Sequence, residues 1–128
     1  MTEEFRSLIL FTKNLLSPRI VVNFSRTDME IGNNMDESDN LLITVNNHTK
    51  KDIYFDINVT CPADIKSEIE GSSEGEVKSK KLVYKYIYFN YVGNNPGKSH
   101  INVKVTCKDS NHHVLFNGDK IINIYKFQ

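Results

Sequence analysis

The chain has no tryptophan, two cysteines, three prolines and six glycines in 128 residues. Two cysteines are too few for a disulfide scaffold, and Cys61 and Cys107 form no CxxC. No apolar run approaches the roughly 18 residues of a membrane helix. The only unbroken apolar run near the N-terminus is Leu8-Ile9-Leu10-Phe11, and Met1-Thr2-Glu3-Glu4 is acidic, so no secretory signal is legible. The chain is therefore expected to be soluble and cytoplasmic as written, or extracellular if it is a piece of a larger secreted protein. A surplus of charge is absent too. Sixteen Lys and Arg balance sixteen Asp and Glu, which excludes a uniformly basic nucleic-acid binder. There is no P-loop, GxGxxG or HExxH, and no pair of catalytic carboxylates can be isolated.

What is present is period. Residues 3–16 read as one amphipathic helix, with Phe5, Leu8, Ile9, Leu15 and Leu16 at helical spacing. Thr2 caps it, Glu3 and Glu4 suit its positive end, and Pro18 stops it. Its polar face holds Glu3, Glu4, Arg6 and Lys13, which sum to zero; a membrane-surface helix needs a basic face, so no membrane insertion is expected.

After Pro18 the period becomes two. Strands are expected at 19–25, 29–31, 41–46, 52–61, 65–69, 81–92 and 99–107. Residues 113–127 form one strand or two, with Asn117-Gly118 a strong turn signal. Residues 32–40, 71–76, 93–97 and 109–111 have loop composition. The clearest alternation puts Ile53, Phe55, Ile57, Val59 and Cys61 on one face against Tyr54, Asp56, Asn58 and Thr60. Ile101, Val103, Val105 and Cys107 repeat it, and Ile122, Ile124 and Lys126 share a third such face. No helix interleaves with these strands, so parallel βαβ topology is not expected, and the pattern points to an antiparallel sandwich. The fold class is all-β: an Ig-like antiparallel sandwich of about seven strands over 19–128, preceded by one helix in 1–18.

The run Leu42-Ile43-Thr44-Val45-Asn46-Asn47, the strand ending at Pro62, and the later strand, Pro96-Gly97 turn and strand together resemble the CARDB-like, adhesion-related Ig-like modules of archaeal and bacterial surface proteins. The resemblance covers about residues 19–127. It implies a binding, spacer or assembly module with no catalytic residues and no cofactor to carry over. The helix and the missing signal depart from that pattern.

The candidate site residues are weighed against packing roles. Tyr84, Tyr86 and Tyr88 share one face of the strand at 81–92, while Val83, Ile87, Phe89 and Tyr91 share the other. Both faces are apolar, so both call for cover: a core on one side, and the helix or a partner on the other. Phe5, Leu8 and Leu15 of the helix are the second candidate contact surface. Cys61 and Cys107 read as buried free thiols, with a disulfide between them open if the ends of their strands coincide. His112-His113 reads as a solvated turn; adjacent strand residues point to opposite faces and do not readily share a metal. Three sequons, at Asn23, Asn47 and Asn58, carry little weight without a signal.

The function expected is a non-catalytic protein-interaction or assembly module, with a protein partner or a homo-oligomer. A carbohydrate- or metal-binding sandwich is the second reading, weakened by the missing tryptophan; a small enzyme is the third. The zero charge is itself a cancellation. Residues 28–76 carry 12 acidic against 3 basic residues, and residues 77–128 carry 9 basic against 2 acidic. A local lysine face at Lys78, Lys80, Lys81 and Lys85 thus remains open.

Overall fold

A computed structural model describes residues 19–33 and 39–128. The helix expected at 3–16, with Phe5, Leu8 and Leu15, lies outside the described residues. Nine strands follow in order: β1 Ile20–Phe24, β2 Asp28–Gly32, β3 Asp39–Asn47, β4 Ile53–Thr60, β5 Ile65–Ile69, β6 Glu74–Val77, β7 Leu82–Tyr91, β8 Gly97–Lys108 and β9 Val114–Phe127. They form two sheets, β1-β3-β7-β5 and β2-β9-β8-β4-β6.

The alternation of the sequence becomes the division between core and surface. Leu41, Ile43 and Val45 of β3 face Ile53, Phe55 and Ile57 of β4 and their neighbours across one continuous core. Ile87, Phe89 and Tyr91 of β7 are buried, as are Ile101, Val103, Val105 and Cys107 of β8 and Ile122 and Ile124 of β9. Each strand contributes every second side chain to that layer, as a two-sheet sandwich requires.

Four expectations are corrected. Among the described residues the strands number nine, against about seven expected. Residues 71–76 are not wholly loop, because β6 begins at Glu74 and pairs with the start of β4. One ladder is parallel: β2 runs alongside β9, Asp28 opposite Asn123 and Gly32 opposite Phe127. Its cause is a crossing. Ser25 is still tied to the first sheet, its N–H donating to Leu42 O, while Thr27 O already accepts Asn123 N–H in the second. The chain changes sheet without reversing, and the last strand runs the same way. Finally, Asn117-Gly118 is no turn, and β9 runs straight through it, Gly118 opposite Val105. The glycine serves the Phe116 ring, since a Cβ at 118 would stand 2.9 Å from its Cζ. The reversal sits earlier. Asp109 Oδ1 accepts the N–H groups of Asn111 (2.8 Å) and His113 (2.9 Å), and His112 takes a left-handed φ of 67°. The His113 N–H bond, with help from Asn111, holds the Asp109 carboxyl below the usual range.

One end of the sandwich is closed by a buried side chain. Asn47 is the one buried polar residue of the described chain. Its Nδ2 donates to the carbonyls of Lys51 (2.7 Å), Val77 (3.0 Å) and Lys78 (3.2 Å). Its Oδ1 accepts Thr49 N–H (2.9 Å) and the Thr49 hydroxyl (2.6 Å). These bonds join the β3–β4 turn to the β6–β7 turn and so fasten the two sheets together. They also occupy the amide that a glycan would need, which removes Asn47 from the three sequons. The far end is closed by Lys126, whose Nζ meets Asp64 Oδ2 at 2.7 Å and lies 5.5 Å from the centre of the Tyr91 ring.

Candidate functional site

The tyrosines fall where period two puts them. Tyr84, Tyr86 and Tyr88 project from the outer face of the four-stranded sheet, away from the core that Ile87 and Phe89 enter. The rings make one continuous strip. Tyr84 and Tyr86 meet edge to face at 6.3 Å between centroids, and Tyr86 and Tyr88 stack at 6.2 Å. Leu42 stands opposite Tyr86, Thr44 opposite Tyr84 and Asn46 opposite Leu82. Val21 and Asn23 of β1 extend the face beyond β3.

This face carries no charge at its centre. Its outward positions on β1, β3 and β7 are Val21, Asn23, Asn40, Leu42, Thr44, Asn46, Leu82, Tyr84, Tyr86, Tyr88 and Asn90. None is Asp, Glu, Lys or Arg. Among the described strand positions of this face, charges appear at the β5 rim, where Lys66 stands opposite Asn90 and Glu68 opposite Tyr88. There the Tyr88 hydroxyl donates to Glu70 Oε2 at 3.1 Å, and that bond raises the phenol's pKa and keeps it protonated. Tyr84 is 59% exposed and Leu82 50%. Tyr86 and Tyr88 are partly covered by each other and by β3 and β5. No described residue lies over the strip.

The outer face of the other sheet differs. Tyr54, Ile121, Tyr125 and Phe127 are exposed there. They alternate with Asp28, Glu30, Asp56, Glu74, Lys98 and Lys104, and Lys98 Nζ sits 5.8 Å from the Tyr125 ring centre. Mixed charge of this kind is ordinary solvated surface. The edges follow the same division. β2 carries Asp28 and Glu30, β5 carries Lys66 and Glu68, and β6 carries Glu74 and Glu76, the charges that discourage edge pairing. β1, with the sequence Ile-Val-Val-Asn-Phe, carries none.

The remaining candidates take packing or turn roles. Cys61 is half-buried and Cys107 buried; neither is in a disulfide. Burial pushes both thiols up, Cys107 to about 11, which makes them poor nucleophiles at neutral pH. His113 Nδ1 lies 3.3 Å from Asp109 Oδ2 within the β8–β9 turn. Among the described residues no three His, Cys, Asp or Glu side chains converge as a metal set. Lys85 lies on the inward parity of β7 and leaves the lysine group of 78–81. Sequence reasoning missed the Asn47 network: the alternation of Leu41, Ile43 and Val45 puts Asn47 on the inward parity, but the Val77 and Lys78 carbonyls that it binds stand 30 and 31 residues away.

No family model and no curated protein matches the chain by sequence. Solved structures match it by fold. The ASH/PapD-like domain 7 of human CEP192 superposes with a TM-score of 0.60 at 12% identity, covering 88% of this chain and 86% of that one. The periplasmic chaperone SfaE gives 0.54 at 13% identity, covering 84% of this chain and 57% of SfaE. The Salmonella enterica SafB chaperone and SafA pilin complex gives 0.51 at 9% identity, over 84% of this chain and 54% of the matched one. The chain thus spans little more than half of these chaperone structures. At such identities the likeness speaks for architecture, and the architecture is an Ig-like, PapD-like β-sandwich.

Proposed function

We propose that this chain is a non-catalytic protein-interaction module that self-associates through the outer face of its four-stranded sheet. The observation that carries the reading is the uncharged tyrosine strip, with Tyr84 and Leu82 at least half exposed in a face where no outward position of β1, β3 or β7 is charged. Apolar and aromatic surface of this extent gains free energy when covered, at about 25 cal/mol per Å² of apolar area buried. Tyrosine suits such a contact, since its ring is rigid and its hydroxyl retains a hydrogen-bond partner. A second copy is the occupant that the neutral face fits, because like meets like without charge repulsion. The uncharged β1 edge borders the same face and adds no repulsion to an approaching copy. The fold supports a binding role as well: in SfaE and SafB it belongs to chaperones, and SafB was solved together with a pilin.

Sedimentation equilibrium of the full chain tests this. The wild type is expected to pass from monomer to dimer as concentration rises through the micromolar range. Tyr84→Glu is expected to remain monomeric with an unchanged melting temperature, since residue 84 touches no core. A wild type that stays monomeric at every concentration overturns self-association.

A further inference from the structure

β1 is an outer strand of the four-stranded sheet, and among the described strands β3 alone pairs with it. At the two ends of β1, Arg19 O accepts His48 N–H (2.7 Å) and Ser25 N–H donates to Leu42 O (2.9 Å). Bonded residues alternate along an antiparallel ladder, so Val21 and Asn23 bond to β3. Ile20, Val22 and Phe24 turn their N–H and C=O groups the other way, along the free edge. No described residue meets these groups. On the inward side of the strand, Val22 and Phe24 are half-buried and pack on the core at its open flank. On the outward side stand Val21 and Asn23.

The other free edges carry charge, which discourages the addition of a strand. β2 has Asp28 and Glu30, β5 Lys66 and Glu68, and β6 Glu74 and Glu76. The part of β9 that β2 leaves open includes Asp119 and Lys120. β1 has no such guard. Its surroundings differ from end to end. It starts at the basic end of the sandwich, where Arg19, Lys50, Lys51, Lys78, Lys80 and Lys81 are exposed. Lys78 meets Glu76 (3.1 Å) and Asp52 (3.5 Å) there. Lys80 Nζ reaches the carbonyl of His48, the residue bonded to Arg19. Neither Arg19 nor Lys80 has a carboxylate partner among the described residues. Past the other end of β1, Arg26 is already paired with Asp39 at 2.6 Å.

We infer that β1 accepts an extended segment of a partner protein as an added strand of the four-stranded sheet. A row of outward N–H and C=O groups is matched by extended backbone, and alternate side chains then set the specificity. Apolar side chains at every second position of the segment cover Val22 and Phe24. Small uncharged ones lie beside Val21 and Asn23. A carboxylate at the end nearest Arg19 meets the unpaired cations. The partner segment is thus uncharged and alternately apolar, with an acidic residue at one end. The β1 strand of a second copy lacks that last feature. It brings Arg19 or Arg26 to the basic end, according to its direction. The inference is independent of self-association through the tyrosine face.

Amide hydrogen exchange of the full chain, read residue by residue by NMR, tests it. The measurement is repeated with Tyr84→Glu, so that a contact at the tyrosine face cannot mask the edge. The probe is a synthetic peptide of alternating valine and threonine with glutamate at both ends. Alone, the amides of Ile20, Val22 and Phe24 are expected to exchange fast while those of Val21 and Asn23 are protected. With the peptide, the first three are expected to slow by roughly tenfold or more. A peptide ending in lysine is expected to bind more weakly, the gap closing in high salt. Val22→Pro removes an outward N–H and no ladder bond, so it is expected to weaken peptide binding at a nearly unchanged melting temperature. Val21→Pro breaks a bond to β3 and is expected to lower that temperature. Equal protection of all five amides in the free chain overturns the inference, as does exchange that the peptide leaves unchanged. Undiminished binding by Val22→Pro or by the lysine-ended peptide also contradicts it. Protection that rises with protein concentration in the absence of peptide overturns it too, and assigns the edge to a second copy.

Discussion

Phe55→Ala is expected to cost about 3–5 kcal/mol of stability, the usual range for truncating a buried aromatic side chain. Phe55 sits mid-core on β4, opposite Cys107 of β8 on one side and Gly75 of β6 on the other. Its ring fills the space that a side chain at 75 would take, since a Cβ there would stand 2.7 Å from Cε2. Truncation therefore leaves a void bounded by a strand with no side chain to fill it, and collapse into that void needs backbone movement. The adjacent Asp56 points the other way, exposed and opposite Glu74, a like charge. Asp56→Ala is expected to change stability by less than about 0.5 kcal/mol. Urea unfolding of the two variants at equal m-value measures the contrast. Equal losses at 55 and 56 contradict the assignment of faces on which the core and the tyrosine strip both depend.

Asn47→Ala is the second large expectation, at about 3 kcal/mol. The loss does not come from volume. It strands the buried Val77 carbonyl and removes the partner of the part-buried Lys51 and Lys78 carbonyls and Thr49 N–H, and each unsatisfied buried group costs about 1–3 kcal/mol. Asn47→Asp preserves shape and the acceptor but removes both N–H donors and sets a carboxylate against three carbonyls. It is expected to be at least as damaging. The same unfolding experiment checks both variants. A cost below about 0.5 kcal/mol for Asn47→Ala, as for an exposed asparagine, contradicts the network.

How much of this the residues reveal depends on whether the deciding interaction is local. The inward and outward positions of β4, β7, β8 and β9 follow from alternation alone, because burial on one face imposes period two on the composition. Tyr84, Tyr86 and Tyr88 are placed together by the same rule. The parallel β2–β9 pair is not legible: Asp28-Met29-Glu30-Ile31 reads as a half-buried strand whichever neighbour it has, and the neighbour stands some 95 residues away. Asn117-Gly118 misleads because the dipeptide has two uses, and a nearby aromatic ring decides between them. The basic end of the sandwich escapes because its cations come from three segments, Arg19, 48–52 and 78–81, joined through bonds among Arg19, Asn47, His48, Thr49, Asp52 and Ser79. The charge count by halves shows that lysines cluster in 77–128 but not that Lys50, Lys51 and Arg19 join them.

Hydroxyl-radical footprinting of tyrosines at low and high protein concentration tests the central claim most directly. Tyr84 lies in the uncharged face, while Tyr54 and Tyr125, at 42% and 45% exposure, report on the opposite sheet. Oxidation of Tyr84 is predicted to fall as concentration rises, with Tyr54 and Tyr125 unchanged. Protection of Tyr54 or Tyr125 with Tyr84 still fully reactive would contradict the assignment of the four-stranded sheet as the interaction face.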